Sequence, residues 1–205
     1  MLNGSQGVGA RPIDVTNTPI DVLASCGYKW LCGPYGTGFT WLAPEVIKSL
    51  SPVQAYWLPM QAGRPLDEMQ NLPLRTDLGT SGLDVFGTAN FNNFMPWTAS
   101  IEYLNDIGID SIANHGERLV NRLIKGVKSS PFGVLTPNEP ERRANIVVLH
   151  HPTEELVQET HVKLSQIGFH TALREGNLRI SPHLYNTIEE IDELGDLLTN
   201  VSVSN

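Results

Sequence analysis

The alternation of hydrophobic and polar positions changes along the chain and predicts two kinds of structure. In the first part, short apolar runs are separated by turns rich in glycine and proline. Phe39–Leu42 is a predicted strand, because aromatic and β-branched residues stand there between Gly38 and Pro44. The stretch from Gly63 to Gly87 is rich in Pro, Gly, Asp and Thr and predicts a long irregular loop.

From Asn90 onwards, apolar residues recur at the three- and four-residue spacing of helices. Two helices are predicted, and the apolar stripe of each is interpreted as the face that packs against a core. In the first helix the stripe consists of Phe91, Phe94, Met95, Thr98, Ile101 and Leu104. In the second helix it consists of Ile109, Ile112, Ala113, Leu119, Val120, Leu123, Ile124 and Val127.

The last third of the chain alternates between strand and helix patterns. Thr187 with Glu190 three residues later is the capping-box signature of a helix start. Strand, helix, two strands and helix in this order form a small α+β unit. The predicted elements are the strand Asn145–His150, the helix Thr153–Gln166 closed by Gly168, the strands Phe169–Arg174 and Asn177–Ser181 joined at Glu175-Gly176, and the final helix from Thr187.

Composition narrows the class of protein. Hydrophobic residues make up 40% of the chain and charged residues 18%, which is a globular composition and excludes a disordered or fibrous one. The formal net charge of −8 argues against contact with a phosphate backbone, so no nucleic-acid partner is expected. The first residues lack the pattern of a secretory signal, and no apolar run approaches the ~18 residues of a membrane span. A cytoplasmic protein without a membrane partner is therefore expected.

Candidate metal ligands are few. Cys26 and Cys32 do not form a CxxC pair, which disfavours a zinc or thioredoxin-type site and fits a reducing compartment. A metal site at His150-His151 with His161 is a weaker alternative, because adjacent residues on a strand point to opposite faces. No metal is therefore expected.

The densest chemical signal surrounds Lys29, in the segment 25–39 with the sequence SCGYKWLCGPYGTGF. Aromatic residues flank this lysine, and glycine-rich turns lie on either side of it. Apolar neighbours favour the neutral amine, which is the form that condenses with an aldehyde. The glycines allow the backbone to approach a bulky ligand closely. On composition alone a structural lysine remains the alternative, and the missing Gly-Lys-Ser/Thr ending excludes a P-loop.

This segment resembles the lysine segment of the class V aminotransferases, in which an aromatic residue or histidine precedes the lysine and a Gly-Pro-x-Gly-x-Gly turn follows. The resemblance is greatest to isopenicillin-N-epimerase-like members and to some selenocysteine-lyase-like members of the cysteine-desulfurase-like group, where tyrosine often stands at the position of Tyr28. It implies that Lys29 forms the Schiff base with the cofactor pyridoxal 5'-phosphate (PLP).

Asn3-Gly4-Ser5-Gln6 resembles the family's Asp-Ala/Gly-x-Gln stretch. In that stretch the aspartate pairs with the pyridinium nitrogen of PLP, and the glutamine hydrogen-bonds the phenolic oxygen. The resemblance implies cofactor binding by Gln6 and by Asn3, although Asn3 departs from the aspartate. An amide supplies no charge to keep the ring nitrogen protonated, so a weaker electron sink is expected. The alternative for both residues is an ordinary turn.

Two later segments complete the resemblance. Gly-Thr-Ala-Asn at residues 87–90 resembles the Gly-Thr-x-Asn segment, whose threonine reaches the cofactor phosphate of the neighbouring subunit. This implies that Thr88 binds the phosphate and that the protein is a homodimer, with helix capping by Thr88 or Asn90 as the alternative. Residues 177–187 resemble the Arg-x-Ser segment, whose arginine holds the substrate α-carboxylate as a bidentate pair. Arg179 is the implied carboxylate ligand, and Arg174 is the fallback.

The resemblance implies an α/β fold, namely the C-terminal part of a fold type I PLP-dependent transferase. Residues 1–108 would form the C-terminal portion, or edge, of the large parallel-sheet domain that binds PLP, and residues 109–205 the small C-terminal α+β domain. The match covers nearly the whole chain but only the later half of the family's usual length. The segments that wrap the phosphate and stack on the cofactor ring are therefore expected to be missing, and activity of this part alone is not expected.

The implied function is PLP-dependent chemistry at the α-carbon of a small-molecule amino acid, as an aminotransferase, epimerase or lyase. Lys29 would first form the Schiff base and then act as the general base. Cysteine desulfurases of the family carry a nucleophilic cysteine before the arginine strand, and residues 168–177 contain none, which disfavours a persulfide mechanism. An inactive or degenerate fragment that serves as a binding or structural protein is the alternative.

Overall fold

The computed structural model describes residues 1–51, 65–68, 79–83 and 90–201 of the chain. The chain divides into two compact units, each treated separately below. Unit 1 contains Met1–Ser5 and Asp14–Ile101, and unit 2 contains Gln6–Ile13 and Glu102–Asn205. The predicted loop 63–87 lies outside the described residues except for two short 3-10 turns, Leu66–Glu68 and Gly79–Leu83. The predicted domain boundary after residue 108 stays a prediction.

Unit 1 is built on a three-stranded sheet of β1 (Leu2–Asn3), β2 (Val22–Cys26) and β3 (Gly38–Leu42), in that spatial order. β3 confirms the strand predicted at residues 39–42. β1 pairs parallel with β2, and β2 pairs antiparallel with β3. Because β1 and β2 are parallel, the residues that follow the two strands leave the sheet at the same edge. The short helix α1 (Pro44–Ser49) follows β3 and begins with the proline that suits a first helical position.

The helix α2 (Phe91–Ile107) confirms the helical prediction but not the predicted apolar face. The prediction is wrong for its first four members, Phe91, Phe94, Met95 and Thr98, whose side chains are exposed. Trp97 is buried instead, because its ring fits against two glycines of the preceding loop. Hydrophobic periodicity does not reveal this fit, since it cannot show where a neighbouring surface lacks side chains.

Unit 2 combines three helices with a four-stranded antiparallel sheet. The elements are α3 (Ile109–Gly126), β4 (Gly133–Val134), β5 (Val147–His150), α4 (Glu154–Gln166), β6 (Ala172–Arg174), β7 (Asn177–Ile180) and α5 (Ile188–Thr199). The strands lie in the spatial order β4-β5-β7-β6. Among the described residues, no helix combines the length and the apolar character that crossing a membrane requires.

The core of unit 2 lies between one face of this sheet and the three helices. The predicted stripe of α3 is confirmed, since its members from Ile112 to Ile124 are buried. Each fully buried leucine or valine typically contributes ~1.5–3 kcal/mol relative to an exposed one. The largest of these side chains are Leu119, Leu123, Leu149, Leu178, Leu198, Val120, Val127, Val147 and Val157.

The strand β6 begins later than the sequence predicts, and the end of α4 explains the difference. Gly168 adopts a φ of +93°, which reverses the chain after the helix. The Phe169 amide then donates to Leu164 O at 2.9 Å, a bond that closes the helix. An amide used in this way is not available to a sheet, so strand pairing starts only at Ala172.

A close contact joins α3 to the strand region of unit 2. Asn145 is 1% exposed and lies against Gly116, where an added Cβ would stand 2.0 Å from the amide nitrogen of Asn145. No residue that carries a Cβ atom fits at position 116 unless the Asn145 side chain moves. This glycine therefore sets how closely the helix approaches the segment that enters β5.

The substitution Gly116→Ala should lower the free energy of unfolding by about 1–3 kcal/mol, because the methyl group overpacks the contact with Asn145. The matched control is Gly126→Ala in the same helix, where the added Cβ would stand 3.6 Å from Gly195 Cα, an ordinary contact. This control should be unchanged or up to ~1 kcal/mol more stable, since alanine favours helix. Urea unfolding followed by circular dichroism measures both, and equal loss in the two variants would refute the packing explanation.

Candidate active site

Lys29 lies in a loop that main-chain hydrogen bonds close directly after β2. The Gly33 amide donates to Gly27 O at 2.7 Å, and the Cys32 amide donates to Lys29 O at 3.0 Å. Residues 27–33 are called the Lys29 loop below. The glycines at its two ends allow the backbone to meet itself at this short distance, which side chains would prevent.

The Lys29 loop is also tied to the strand that follows it. The Gly27 amide donates to Thr37 O at 2.9 Å, and the Thr37 hydroxyl donates to Pro34 O at 2.6 Å. Thr37 is buried, so these bonds are shielded from water. The lysine is therefore held between two paired strands rather than on a free surface loop.

The Lys29 side chain is half-buried and lies near an aromatic ring. Its Nζ atom lies 5.8 Å from the centroid of the Tyr28 ring, and this ring stacks on Tyr35 with 4.6 Å between centroids. Trp30, on the other side of the lysine, is only 4% exposed. In the described part of the chain, the Lys29 amine makes no hydrogen bond or ion pair. It is therefore available to a group from outside the loop.

The pKa values of two groups beside the lysine are raised. The electrostatic interaction with Cys26 raises the pKa of the Tyr28 hydroxyl, and burial acts in the same direction. Partial desolvation raises the pKa of the Cys32 thiol, although the residue as a whole is exposed. A thiol with a raised pKa carries little thiolate near neutral pH and is a weak nucleophile. The Cys32 thiol is therefore not favoured as a nucleophile, and the role of Lys29 stays a prediction.

Asn3 lies at the end of β1, and Ser5 links its segment to β2. Asn3 Oδ1 accepts a hydrogen bond from the Ser5 amide at 3.1 Å, and Ser5 Oγ accepts one from the Cys26 amide at 3.2 Å. The parallel pairing brings this segment and the start of the Lys29 loop to one sheet edge. Gln6 is half-buried in the turn that follows and belongs to unit 2. Cofactor binding by Asn3 and Gln6 stays a prediction.

Helix α2 supplies a contact that the sequence analysis misses. The ring of Trp97 lies against the backbone of Gly27 and Gly33, where added Cβ atoms would stand 2.7 Å and 2.4 Å from ring carbons. Many sequences have a tryptophan at some distance after a glycine-rich segment. This pattern is therefore too general to predict the contact of Trp97 with the loop. The structure shows it only because the helix and the loop fold together within unit 1.

The predicted phosphate ligand Thr88 lies outside the described residues. The neighbouring Asn90 is described, and its Oδ1 atom accepts a hydrogen bond from the Asn93 amide at 3.3 Å. Asn90 thus caps the start of α2, as the capping alternative requires of one of the two residues. Phosphate binding by Thr88 stays a prediction.

Arg179 stands on the sheet face of unit 2 that is opposite the core. Leu178 and Ile180 enter the core, so the alternation of β7 turns Arg179 to the other face, between Val148 and Ala172. Its Nε atom is buried without a hydrogen-bond partner, and no ion pair involves it among the residues that the structure describes. A buried guanidinium nitrogen without a partner is unfavourable, so this partly exposed side chain is suited to an anion such as a carboxylate.

The fallback residue Arg174 is less suited to that role. Ala172 pairs with Arg179, so these two side chains lie on the same face of the sheet. Arg174 is two residues after Ala172 in β6 and therefore lies on that face too. Arg174 is exposed, however, and its Nη1 atom donates to Leu173 O at 2.6 Å. Part of its hydrogen-bonding capacity is thus used within its own strand.

The loop after β7 is fixed by side-chain hydrogen bonds. Asn186 Oδ1 accepts from the His183 amide at 2.8 Å, and the Asn186 side chain donates to Glu190 at 3.1 Å. The ring of His115 in α3 contacts Asn186 O at 2.9 Å. The predicted capping box between Thr187 and Glu190 is confirmed. This network anchors the segment that carries the predicted carboxylate ligand.

The histidines considered for a metal have other partners. His151 Nδ1 accepts a hydrogen bond from the Thr153 amide at 3.0 Å, and His161 Nδ1 lies 2.7 Å from the Thr171 hydroxyl. No group of three metal-ligating side chains was found within residues 1–51, 65–68, 79–83 and 90–201.

A lysine on a glycine-rich loop beside a mixed sheet, and an arginine on the open face of an α+β unit, are the parts expected of a fold type I PLP-dependent transferase. The sequence profile described as Aminotransferase class-V matches residues 1–194. The chain belongs to the class V aminotransferase family, so the predicted resemblance to that family is confirmed.

Known proteins with similar sequences include two of different activity. A protein described as "Probable cysteine desulfurase" from Methanothermobacter thermautotrophicus is 29% identical, over 98% of this chain and 52% of that protein. Isopenicillin N epimerase from Streptomyces clavuligerus is 30% identical, over 97% of this chain and 51% of that protein. The chain therefore spans about half the length of the curated relatives it matches.

A solved structure confirms the predicted fold. A mutant of the enzyme C-DES with glycine covalently linked to the PLP cofactor matches with a TM-score of 0.74 at 18% identity. The match covers 96% of this chain and 50% of that one. The α/β architecture of a fold type I enzyme is thus present here in the part that corresponds to half of such a protein.

Acidification should weaken the anchor after β7. The hydrogen bonds from the Thr187 amide and the Asn186 side chain lower the pKa of Glu190 below its ordinary value of 4.5. A lowered pKa gives a stabilising contribution that is complete above pH 4.5 and is lost as the pH falls through the lower value of the folded state. Because Glu190 is exposed, the contribution is small.

Glu190→Gln keeps an oxygen acceptor but cannot titrate, so the unfolding free energy of this variant should fall less steeply with pH below 4.5 than that of the unmodified protein. Urea unfolding at a series of pH values from ~3 to ~7 measures both slopes. Identical slopes would show that the Glu190 carboxylate does not contribute.

Proposed function

We propose that this chain is the lysine-bearing and carboxylate-binding part of a PLP-dependent enzyme that acts at the α-carbon of an amino acid, as an aminotransferase, epimerase or lyase. The observation that carries the proposal is the Lys29 amine, which lies near the Tyr28 ring on a closed glycine loop and makes no hydrogen bond or ion pair with the described residues. Family membership and the PLP-linked glycine in the C-DES mutant support the cofactor.

The residues present fit PLP and an amino acid. When bound, PLP supplies an electron sink for negative charge at the substrate α-carbon. Lys29 holds the cofactor covalently and moves a proton at the α-carbon. Arg179 holds the α-carboxylate, and its planar guanidinium orients the substrate. Support for this second role is the buried Nε atom, which lacks a hydrogen-bond partner.

The remaining cofactor contacts rest on the resemblance to the family. Gln6 binds the phenolic oxygen, Asn3 faces the ring nitrogen, and Thr88 binds the phosphate of a neighbouring subunit in a homodimer. Residues 1–108 belong to the large domain and residues 109–205 to the small one. The reducing cytoplasm is the proposed compartment, in keeping with Cys26 and Cys32, which form no disulfide.

Among the reactions of the family, persulfide chemistry is the least favoured. Residues 168–177 contain no cysteine. Cys32, beside the lysine, has a raised pKa and carries little thiolate near neutral pH. An inactive fragment is not favoured either, since the relatives described above are named as enzymes. Transamination, epimerisation and elimination without a cysteine nucleophile remain as proposed activities.

Mixing the protein with PLP should produce an absorption band near the edge of the visible range that borohydride removes, leaving a covalent label on Lys29. Lys29→Ala should lose both the band and the label. Lys48→Ala is the matched control and should keep them, because Lys48 is exposed on α1 and pairs with Glu45 at 2.7 Å. Peptide mass spectrometry locates the label, and equal labelling of Lys48 and Lys29 would defeat the proposal.

In the PLP-loaded protein, Arg179→Ala should weaken amino-acid binding by roughly 10- to 100-fold, because a charged hydrogen bond contributes about 1.5–3 kcal/mol. Arg179→Lys should also bind weakly, since lysine cannot reproduce the bidentate geometry. The amino-acid concentration that gives half of the spectral change measures the affinity. Arg174→Ala is the control on the same sheet face, and a larger loss in that variant would transfer the carboxylate role to Arg174.

A further inference from the structure

Helix α2 contacts the Lys29 loop and the turn after it at three positions on one helix face. Asn93 Nδ2 donates to Tyr35 O at 2.9 Å, and Ser100 Oγ donates to Cys32 O at 3.1 Å. Trp97 stands between them along the helix. Spacings of four and three residues place the three side chains in one line, which is called the α2 stripe below.

The ring of Trp97 fills the space that side chains would occupy at both ends of the Lys29 loop. An added Cβ at Gly33 would stand 2.4 Å from Trp97 Cδ1, and one at Gly27 would stand 2.7 Å from Cε2. Trp97 is only 6% exposed. The indole therefore packs on the two residues that are joined by the 2.7 Å hydrogen bond from the Gly33 amide to Gly27 O.

The hydrogen bond of Ser100 supports an unfavourable backbone conformation. Cys32 has a φ of +52°, in the left-handed region that residues other than glycine seldom adopt. Such a residue persists only when its surroundings hold it. Ser100 Oγ also lies 3.2 Å from Pro96 O, so its proton is shared between that carbonyl and the one of Cys32.

We infer that the α2 stripe positions Lys29 for its reaction by fixing the backbone of the Lys29 loop, with Trp97 as the principal positioning residue. The functional meaning of this inference rests on the proposed role of Lys29. A helix face that packs on the loop backbone holds the amine in one place before the cofactor arrives, which lowers the cost of reaching the reactive geometry.

Tryptic cleavage after Lys29 measures the order of the loop without any ligand, because a protease needs a locally opened chain. Cleavage after Lys48, exposed in the same unit, is the internal reference. Trp97→Ala should raise the ratio of cleavage at Lys29 to cleavage at Lys48 about tenfold. The matched control is Met95→Ala, since Met95 is 70% exposed on the same helix, and it should leave the ratio unchanged.

Two milder variants keep the test decisive if Trp97→Ala unfolds. Trp97→Phe retains a flat ring and should return the ratio to within roughly threefold of the unmodified protein. Ser100→Ala removes only a hydroxyl and should raise the ratio by a smaller factor than Trp97→Ala. The inference is overturned if Ser100→Ala leaves the cleavage ratio unchanged and Trp97→Ala either leaves it unchanged too or is cleaved throughout the chain.

Labelling with PLP and borohydride tests the consequence for the amine. In Trp97→Ala the rate of labelling at Lys29 relative to Lys48 should fall about tenfold, and Trp97→Phe should rescue it. Normal labelling in Trp97→Ala overturns the positioning role and leaves the proposed function intact. If the unmodified protein takes no label on Lys29, the proposed function fails, whereas the cleavage ratios still decide whether the α2 stripe orders the loop.

Discussion

The hydrogen bond from the Gly33 amide to Gly27 O closes the loop on which Lys29 stands, and the arrangement of unit 1 depends on it. Both residues must be glycine, since a Cβ at either one would enter the ring of Trp97. β2 brings the chain to this point and β3 takes it away, so the loop is a connection between paired strands. The backbone of Lys29 is thus held by the sheet and by α2.

In unit 2 the corresponding constraint concerns the positive charge of Arg179. The alternation of β7 places Leu178 and Ile180 in the core and therefore commits Arg179 to the opposite face. A guanidinium whose Nε atom is buried without a partner is held at a cost in solvation that a bound carboxylate would offset. The same alternation that builds the core thereby places the proposed carboxylate ligand on the opposite face of the sheet. The core and the proposed binding residue are thus carried by a single strand.

Local signals in the sequence predicted the elements whose determinants are local. The capping box at Thr187, the stripe of α3 and the helix end at Gly168 are each specified within a few residues. The face of α2 was predicted wrongly because it depends on Gly27 and Gly33, which are remote in the chain. The lysine and arginine motifs were recognisable as a resemblance, whereas the contact of Trp97 with the loop has no signature of its own.

Two roles are considered for Asn3, one as a turn residue and one, in the proposed function, as a partner of the cofactor ring. Asn3 stabilises the turn, since its Oδ1 atom accepts a hydrogen bond from the Ser5 amide. An aspartate at this position could accept the same hydrogen bond. The turn therefore gives no reason for the amide. In its proposed place beside the pyridinium nitrogen, the Asn3 amide lacks the charge that favours the protonated ring. In the proposed function the cofactor would then be a weaker electron sink, and the reaction at the α-carbon would depend more on the proton transfer by Lys29. The position of the Lys29 amine, and hence the rigidity of its loop, would therefore matter more than with an aspartate at position 3.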